Sequence, residues 1–318
     1  MPLIRANGTT MSGQGWLSRG ISFSLALCCL WSAQAAADAD GPEMLVYQGV
    51  ARHYVMHKVP SQTGPLPAVI ALHGLNQPVS DLRGSWTLEA VADREGFDVV
   101  YPEALAGRWA YADSRPVALP DGGHVEDVGF ILSLFDQLTR ERIIDADHVY
   151  VVGVSNGGLM AWTLACVASE RIAAVAPLIT GMIERQTEVC RPKRLVPLVA
   201  IAGTDDWMQA YDGALTPELR LLSVPETLEF WRRLRGCTGR KVTEVPGHEP
   251  ADPTAAMLVE WTECKDASPQ RFFRIEGGGH SLPSFAPLSK GERRPHGGRS
   301  QAIETAEELW RFFHGAAP

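Results

Sequence analysis

The chain has 318 residues, of which 45% are hydrophobic and 21% are charged, and its formal net charge at pH 7 is −8. This composition is that of an ordinary globular protein, and it excludes a low-complexity chain. The excess of acidic over basic residues argues against nucleic acid as a partner.

The first 35 residues differ from the rest of the chain. Arg5 and Arg19 precede an uncharged apolar stretch, and Ala33-Gln34-Ala35 provides the small residues of a cleavage site. We interpret residues 1–35 as a secretory signal peptide, which predicts a protein exported to the periplasm or the medium. The apolar stretch is too short to anchor the chain in a bilayer, so no membrane anchor is expected after cleavage. Cleavage removes two arginines and no acid, and the remaining 27 basic and 37 acidic residues give a net charge of −10.

Four cysteines remain after the predicted cleavage, at positions 166, 190, 237 and 264. An even number of cysteines in an exported protein predicts disulfides, here two with three possible pairings. We favour the nearest-neighbour arrangement, Cys166 with Cys190 and Cys237 with Cys264. No CxxC spacing is present, and no metal site is expected.

The first third of the chain alternates between short strands and a helix. Residues 44–60 predict two short antiparallel strands at a sheet edge, and residues 67–72 form the continuous apolar run of a parallel strand buried on both faces. Residues 82–95 have helical spacing that ends at Gly96, and a strand is predicted over 97–101. A long loop covers residues 107–123.

The alternation continues to the end of the chain. A helix is predicted over 127–142, a strand up to Val154 and a helix over 159–166. The later elements are strands over 172–179 and 195–201, a helix from Ser223 to about residue 235, strands at 241–246, 255–262 and 270–276, a loop at 283–298 and a helix over 303–314. This pattern predicts an α/β protein with a mostly parallel central sheet and helices on both faces, in one domain over residues 36–318.

The sequence Gly153-Val154-Ser155-Asn156-Gly157 joins a predicted strand to a predicted helix. The glycines leave room for a serine in a strained backbone conformation, with its Oγ exposed at the turn. The N–H of Asn156 opens the helix and is placed to bind a developing oxyanion. We interpret Ser155 as a nucleophile, against the alternative of a glycine-rich turn with an incidental serine.

A serine nucleophile needs a base, and His280 is the best-placed histidine. It follows a predicted strand and three consecutive glycines, which let the backbone bring the imidazole close to Ser155. His73 also ends a strand, but at the turn where this architecture builds a second oxyanion donor, and we interpret it as structural. The other histidines considered lie in polar loops or before a helix, at positions 124, 248 and 296.

The third member of a triad is a carboxylate that follows a strand between the serine and the histidine. Asp205 and Asp206 both follow the predicted strand 195–201, and neighbours in extended chain point in opposite directions, so only one reaches the imidazole. The pattern does not choose between them, and Asp212 is a third candidate. The order serine, aspartate, histidine is that of α/β hydrolases.

Taken together, these motifs resemble the secreted α/β-hydrolase esterases that include polyhydroxybutyrate depolymerases and feruloyl and acetylxylan esterases. The resemblance extends over roughly residues 45–315 and rests on Leu72-His73-Gly74 with Gln77, residues 96–102, 125–130, 153–158, 203–206 and 277–280, and the closing segment 310–313. It implies a carboxylic ester hydrolase that requires no cofactor.

The resemblance also assigns residues. It implies Asp206 rather than Asp205 as the acid, agrees with Ser155 and His280, and implies a second oxyanion N–H near Leu75. The chain departs from the family pattern at Leu75, where cysteine is common, at Leu282, where a tryptophan is usual, and at Ala202, where histidine often stands.

Aromatic residues in loops are candidates for the substrate pocket. We predict that Trp109, Tyr111 and Trp207 contact substrate, with rim packing as the alternative, and the basic segment 291–299 is a further candidate. The expected partner is a small or oligomeric ester, either of polyhydroxybutyrate type or a feruloyl or acetyl ester of plant polysaccharide. The alternatives are a peptidase or amidase with the same triad, and an inactive hydrolase-fold binding protein. The sequence does not predict an oligomeric state.

Overall fold

The computed structural model describes residues 41–60, 64–111, 117–118, 124–216, 219–286 and 298–316. The predicted signal peptide and most of the basic segment 291–299 lie outside these ranges. The described residues belong to one compact unit.

The strands and helices of the described residues follow the predicted alternation. The strands are β1 Glu43–Tyr47, β2 Val50–His57, β3 Leu66–Leu72, β4 Asp98–Pro102, β5 Val117–Ala118, β6 His124–Val125, β7 Ile144–Val154, β8 Ala174–Leu178, β9 Leu198–Gly203, β10 Ala214–Leu215, β11 Arg220–Leu221, β12 Gly239–Val245, β13 Ala255–Thr262 and β14 Gln270–Glu276. The α-helices are α1 Val79–Gly84, α2 Leu88–Glu95, α3 Asp127–Arg140, α4 Asn156–Val167, α5 Glu184–Val189, α6 Val224–Arg235 and α7 Thr305–Ala316, and short 3₁₀ helices cover Leu105–Gly107 and Ser169–Arg171.

The main sheet has the strand order β1-β2-β4-β3-β7-β8-β9-β14-β13-β12. Its centre, from β4 to β14, is parallel, and antiparallel strands extend both edges. Helices α3, α4 and α6 contribute to the hydrophobic core on one face, and α1, α2 and α7 to the core on the other. The predicted fold class is therefore confirmed. No described helix is both long and apolar enough to cross a membrane.

The prediction of one helix over residues 82–95 is wrong, because the chain turns inside it. Ser85 ends α1 by donating hydrogen bonds from its backbone N–H and its hydroxyl to the carbonyl of Leu82. Trp86 is buried in the turn, and α2 begins two residues later. Apolar spacing continues across the turn, which explains why the pattern did not reveal it. Helix α5 and the β10–β11 hairpin were also not predicted.

Several local predictions are confirmed by the structure. Gly96 ends α2 as predicted, in the left-handed conformation with φ of 84°. Helix α6 ends at Arg235, close to the predicted position, and Gly236 follows it with φ of 62°. Helix α6 begins just after Ser223, close to the predicted position, and Ser223 and Glu226 form a capping box there. The disulfides join Cys166 to Cys190 and Cys237 to Cys264, which is the favoured pairing.

Candidate active site

The turn between β7 and α4 holds Ser155 at φ 55° and ψ −113°, a conformation that residues other than glycine rarely adopt. A Cβ on Gly153 would lie 2.0 Å from the carbonyl oxygen of Gly157, and one on Gly157 would lie 2.2 Å from that of Leu72. Only glycine fits at either position. The N–H of Ser155 donates to the carbonyl of Leu178 at 3.0 Å, which ties the turn to the neighbouring strand β8.

Two hydrogen bonds connect Ser155 to a buried carboxylate through His280. The Nδ1 atom of His280 lies 2.6 Å from Oδ2 of Asp206, and its Nε2 atom lies 3.0 Å from Oγ of Ser155. Because a carboxylate only accepts hydrogen bonds, Nδ1 carries the proton and Nε2 is free to accept one from the serine hydroxyl. This arrangement can generate an alkoxide nucleophile at neutral pH.

Of the three candidate aspartates, Asp206 makes the contact with the imidazole. Its other oxygen, Oδ1, accepts hydrogen bonds from the backbone N–H groups of Met208 and Gln209 at 2.9 and 3.0 Å. Asp205 is exposed and accepts from the hydroxyl of Thr204, and Asp212 is exposed as well. The geometry therefore agrees with the residue that the family resemblance implies.

The loops that carry Asp206 and His280 are joined directly. The N–H of Gly277 donates to Oγ1 of Thr204, and the N–H of Asp205 donates to the carbonyl of Gly278, both at 2.9 Å. A Cβ on Gly203 would lie 2.1 Å from that same carbonyl oxygen. Thr204 was not predicted from the sequence, although its place after Gly203 in the Gly-Thr-Asp motif is a usable signal.

The second expected oxyanion donor lies in the loop after β3. A Cβ on Gly74 would lie 3.7 Å from Cβ of Ser155, so this loop passes beside the serine. Gln77 holds the loop by accepting the N–H of Gly74 at 2.8 Å. Within the described part of the chain, the backbone N–H groups of Leu75 and Asn156 donate no hydrogen bond. Both are available for an oxyanion.

Both ring nitrogens of His73 form hydrogen bonds with backbone groups. Its Nε2 atom accepts the N–H of Ala104 at 3.0 Å, which leaves the proton on Nδ1, where it is donated to the carbonyl of Gly74 at 2.7 Å. Burial lowers the pKa of His73, because the charged imidazolium would lose its hydration. These contacts agree with the interpretation that His73 shapes the turn.

The prediction that Trp109 contacts substrate is wrong. Trp109 is completely buried, its indole N–H donates to the carbonyl of His73 at 2.9 Å, and its backbone N–H donates to Oδ1 of Asn156 at 2.9 Å. Its loop folds back into the core, which loop composition alone does not reveal. Tyr111 exposes only 9% of its surface, whereas Trp207 exposes 59%.

A buried ion pair behind the site was also missed. Nη2 of Arg52 lies 2.5 Å from Oδ1 of Asp127, and Oδ2 of Asp127 accepts the N–H of Ala110 at 2.6 Å. The sequence does carry a signal for it, because Arg52 shares the inward phase of strand β2 with Tyr54 and Met56.

The described residues contain no group of three histidine, cysteine or acidic side chains placed to hold a metal ion. His53 and His57 are four residues apart, but they lie on strand β2 instead of on a helix. A serine that is activated by a histidine and an aspartate can attack an ester without a metal ion.

Sequence comparisons identify related proteins. Residues 54–188 match the family described as Esterase PHB depolymerase. NocK from Nocardia uniformis subsp. tsuyamanensis, a protein named as a putative esterase, is 28% identical in an alignment that covers 75% of this chain and 73% of NocK. The bifunctional acetylxylan esterase/xylanase XynS20E from Neocallimastix patriciarum is 27% identical, covering 76% of this chain and 32% of that protein. Feruloyl esterase B from Piromyces equi is 25% identical, covering 68% of this chain and 39% of that protein.

Solved structures with low sequence identity share the fold. Acetyl xylan esterase from Aspergillus awamori superposes with a TM-score of 0.58 at 13% identity, covering 87% of this chain and 100% of that one. The serine hydrolase FphF from Staphylococcus aureus has a TM-score of 0.51 at 12% identity, covering 88% and 98% of the two chains. The fold, the motifs and the match over residues 54–188 agree: the protein is a carboxylic ester hydrolase whose sequence is similar to polyhydroxybutyrate depolymerases and to feruloyl and acetylxylan esterases.

Proposed function

We propose that the protein is a serine esterase that works through a covalent acyl-enzyme. The observation that carries the proposal is the hydrogen-bonded series from Ser155 through His280 to Asp206. His280 takes the hydroxyl proton as Oγ of Ser155 bonds to the ester carbonyl carbon, and the carbonyl electron pair moves to oxygen. Collapse of this intermediate breaks the bond to the alcohol, which leaves with the proton from His280.

Water then repeats the sequence on the acyl-enzyme. His280 removes a proton from water, the resulting bond to carbon displaces Oγ, and the serine recovers its proton as the acid leaves. Asp206 holds the imidazole in the required tautomer and stabilises its charged form. The N–H groups of Asn156 and Leu75 stabilise the oxyanion of both intermediates.

Exposed apolar side chains support an ester with an extended apolar part. Leu75 exposes 56% of its surface, Trp207 59% and Met208 55%. Leu75 is a proposed oxyanion donor, and Trp207 and Met208 are the two residues that follow Asp206. Apolar surface beside a reactive centre favours ligands that cover it. We propose oligomers of polyhydroxybutyrate type, or feruloyl or acetyl esters of plant polysaccharide, as substrates.

We propose that the protein is secreted, with residues 1–35 as its signal peptide and residues 36–318 as its catalytic domain. The disulfides Cys166–Cys190 and Cys237–Cys264 support an oxidising compartment. Mass determination of the exported protein should give an N-terminus just after Ala35. An exported protein that retains residues 1–35 would contradict this part of the proposal.

The mechanism is tested by Ser155→Ala with an aryl acetate and with a fluorophosphonate label. We expect the variant to lose hydrolysis by roughly 10⁴- to 10⁶-fold and to lose labelling altogether. A folded variant with wild-type hydrolysis would overturn the nucleophile assignment. An unreactive serine in the folded wild-type protein would favour a binding protein.

The substrate class is tested by comparing kcat/KM for hydroxybutyrate oligomers, feruloyl esters and acetylated xylan, with a peptide panel beside them. We expect at least one ester to exceed every peptide by a large factor, since the family match is to esterases. Faster cleavage of a peptide than of all esters would instead indicate a peptidase.

A further inference from the structure

Trp109 joins the two segments that carry the proposed oxyanion donors. Its backbone N–H donates to the side chain of Asn156, and its indole N–H donates to the carbonyl of His73, each at 2.9 Å. Asn156 is the first residue of α4, next to Ser155, and His73 begins the loop that carries Leu75. One buried residue therefore contacts both sides of the site.

The segment around Trp109 is itself fixed by hydrogen bonds. On one side, the N–H of Ala104 donates to Nε2 of His73, and the carbonyl of Gly107 accepts the N–H of Asn76 at 2.8 Å. On the other side, the N–H of Ala110 donates to the Asp127 carboxylate, which is paired with Arg52. Because its neighbours are held on both sides, Trp109 can fix the positions of the Asn156 side chain and the His73 carbonyl.

We infer that Trp109 is a positioning residue that sets the separation of the Leu75 and Asn156 N–H groups. Its indole bond holds the backbone at His73, two residues before Leu75, and its backbone bond holds Asn156 by the side chain. An oxyanion donor works only within a few tenths of an ångström of its required place, so loss of one bond lowers transition-state stabilisation without removing a catalytic group. This inference rests on the proposed serine mechanism.

The test is Trp109→Phe, which keeps a buried aromatic ring and the backbone bond to Asn156 but removes the indole N–H. Removing an oxyanion donor outright costs about 10²- to 10³-fold in kcat, so we expect a displaced donor to cost roughly 10- to 100-fold. The loss should fall on kcat for an aryl acetate, with KM changed by no more than about twofold.

The affinity of the folded protein for a transition-state mimic depends on the oxyanion donors, and a general loss of stability does not change it. Ser155 adds to an aryl trifluoromethyl ketone, its proton passes to His280, and the carbonyl oxygen becomes an anion beside the two N–H groups. We expect Trp109→Phe to weaken this inhibitor by about the same factor by which it lowers kcat/KM. An unchanged inhibitor affinity would overturn the inference.

Trp162→Phe is the matched control. Trp162 is completely buried in the same core, stacks on Trp231 at 5.6 Å, and its indole N–H has no hydrogen-bond partner among the described residues. Both variants lose the same volume, but only Trp109→Phe breaks a bond to the site. Equal losses of kcat in the two folded variants would show that packing alone matters and would overturn the positioning role.

If Trp109→Phe does not fold, replacement of Trp109 by benzothienylalanine keeps the shape of the indole and substitutes sulfur for the N–H. The same fall in kcat and in inhibitor affinity is expected, and wild-type values would overturn the inference. Failure of the mechanism itself is distinguishable, because an active Ser155→Ala variant rejects the serine mechanism whatever Trp109 does. An inactive Ser155→Ala beside a fully active Trp109→Phe rejects only the positioning role.

Discussion

Two histidines lie at the same edge of the sheet, and their surroundings give them different properties. His73 follows β3 and His280 lies in the loop after β14, so each stands just beyond the carboxyl end of a parallel strand. Both ring nitrogens of His73 bond to backbone groups. Those of His280 face the Asp206 carboxylate and the Ser155 hydroxyl.

The difference shows that hydrogen-bond partners, rather than burial or place in the fold, decide whether a histidine can act as a base. The Nε2 atom of His73 is committed to the amide of Ala104, which has no reactive proton to give. The Nε2 atom of His280 instead faces the Ser155 hydroxyl, and in the proposed mechanism it takes that proton while Asp206 stabilises the resulting charge.

Replacement of each histidine by alanine should separate the two roles most strongly. His280→Ala should lower kcat by roughly 10⁴- to 10⁶-fold, because the serine loses its base. His73→Ala should instead reduce the free energy of unfolding by about 1–3 kcal/mol, because the part-buried N–H of Ala104 loses its acceptor. Steady-state kinetics and urea unfolding measure both effects. A folded His73→Ala protein that is as inactive as His280→Ala would contradict a purely structural role for His73.

The acid next to His280 offers the next test. Asp206→Asn should lower kcat by roughly 10³- to 10⁴-fold, because an amide favours the wrong imidazole tautomer. Asp205→Asn is the matched control, and it should change kcat by less than about twofold because Asp205 is exposed and does not contact the imidazole. Equal losses in the two variants would contradict the assignment of Asp206.

The sequence was most informative about Ser155 because the constraints on its turn are local. Gly153 and Gly157 are required by contacts within a few residues of Ser155 or with the adjacent strand, and such contacts leave a pattern in the chain. The parallel sheet was predictable for the same reason, since each buried strand is one continuous apolar run.

The choice of aspartate and the environment of Trp109 could not be predicted, because both depend on contacts between loops that are distant in the chain. Asp205 and Asp206 were indistinguishable by pattern, because the choice depends on bonds between the loop after β9 and the distant glycines after β14. Trp109 was misassigned because its loop returns to the core through contacts with Asp127 and Asn156. Neither set of contacts connects neighbours in the chain.

A methyl group at Gly157 should disturb the packing between Ser155 and the His73 side of the site. Its Cβ would lie 2.2 Å from the carbonyl oxygen of Leu72 and 2.7 Å from that of His73, and backbone atoms cannot rotate away. Gly157→Ala should therefore lower the free energy of unfolding by about 3 kcal/mol or prevent folding.

Gly84→Ala is the control for this change. Nothing lies within 4 Å of a Cβ at Gly84, which is in helix α1, so alanine there should be neutral or stabilise by up to about 1 kcal/mol. Urea unfolding of the two variants gives the comparison. A Gly157→Ala protein as stable as Gly84→Ala would show that the turn is looser than these distances imply.

The smallest expected effect is a difference in pH dependence, and it follows from the neutral state of His73. Burial lowers the pKa of His73 below the ordinary histidine value of 6.5, so on acidification the unfolded chain binds a proton at this position before the folded protein does. Stability is then lost as the pH falls through the unfolded value towards the folded one. Between about pH 7.5 and about pH 5.5, the free energy of unfolding should fall more steeply for wild type than for His73→Ala, which lacks the group. Every other titrating group is shared by the two proteins, so the difference between the two slopes reports on His73 alone. Parallel slopes would mean that its imidazole gains a proton as readily in the folded protein as in the unfolded chain.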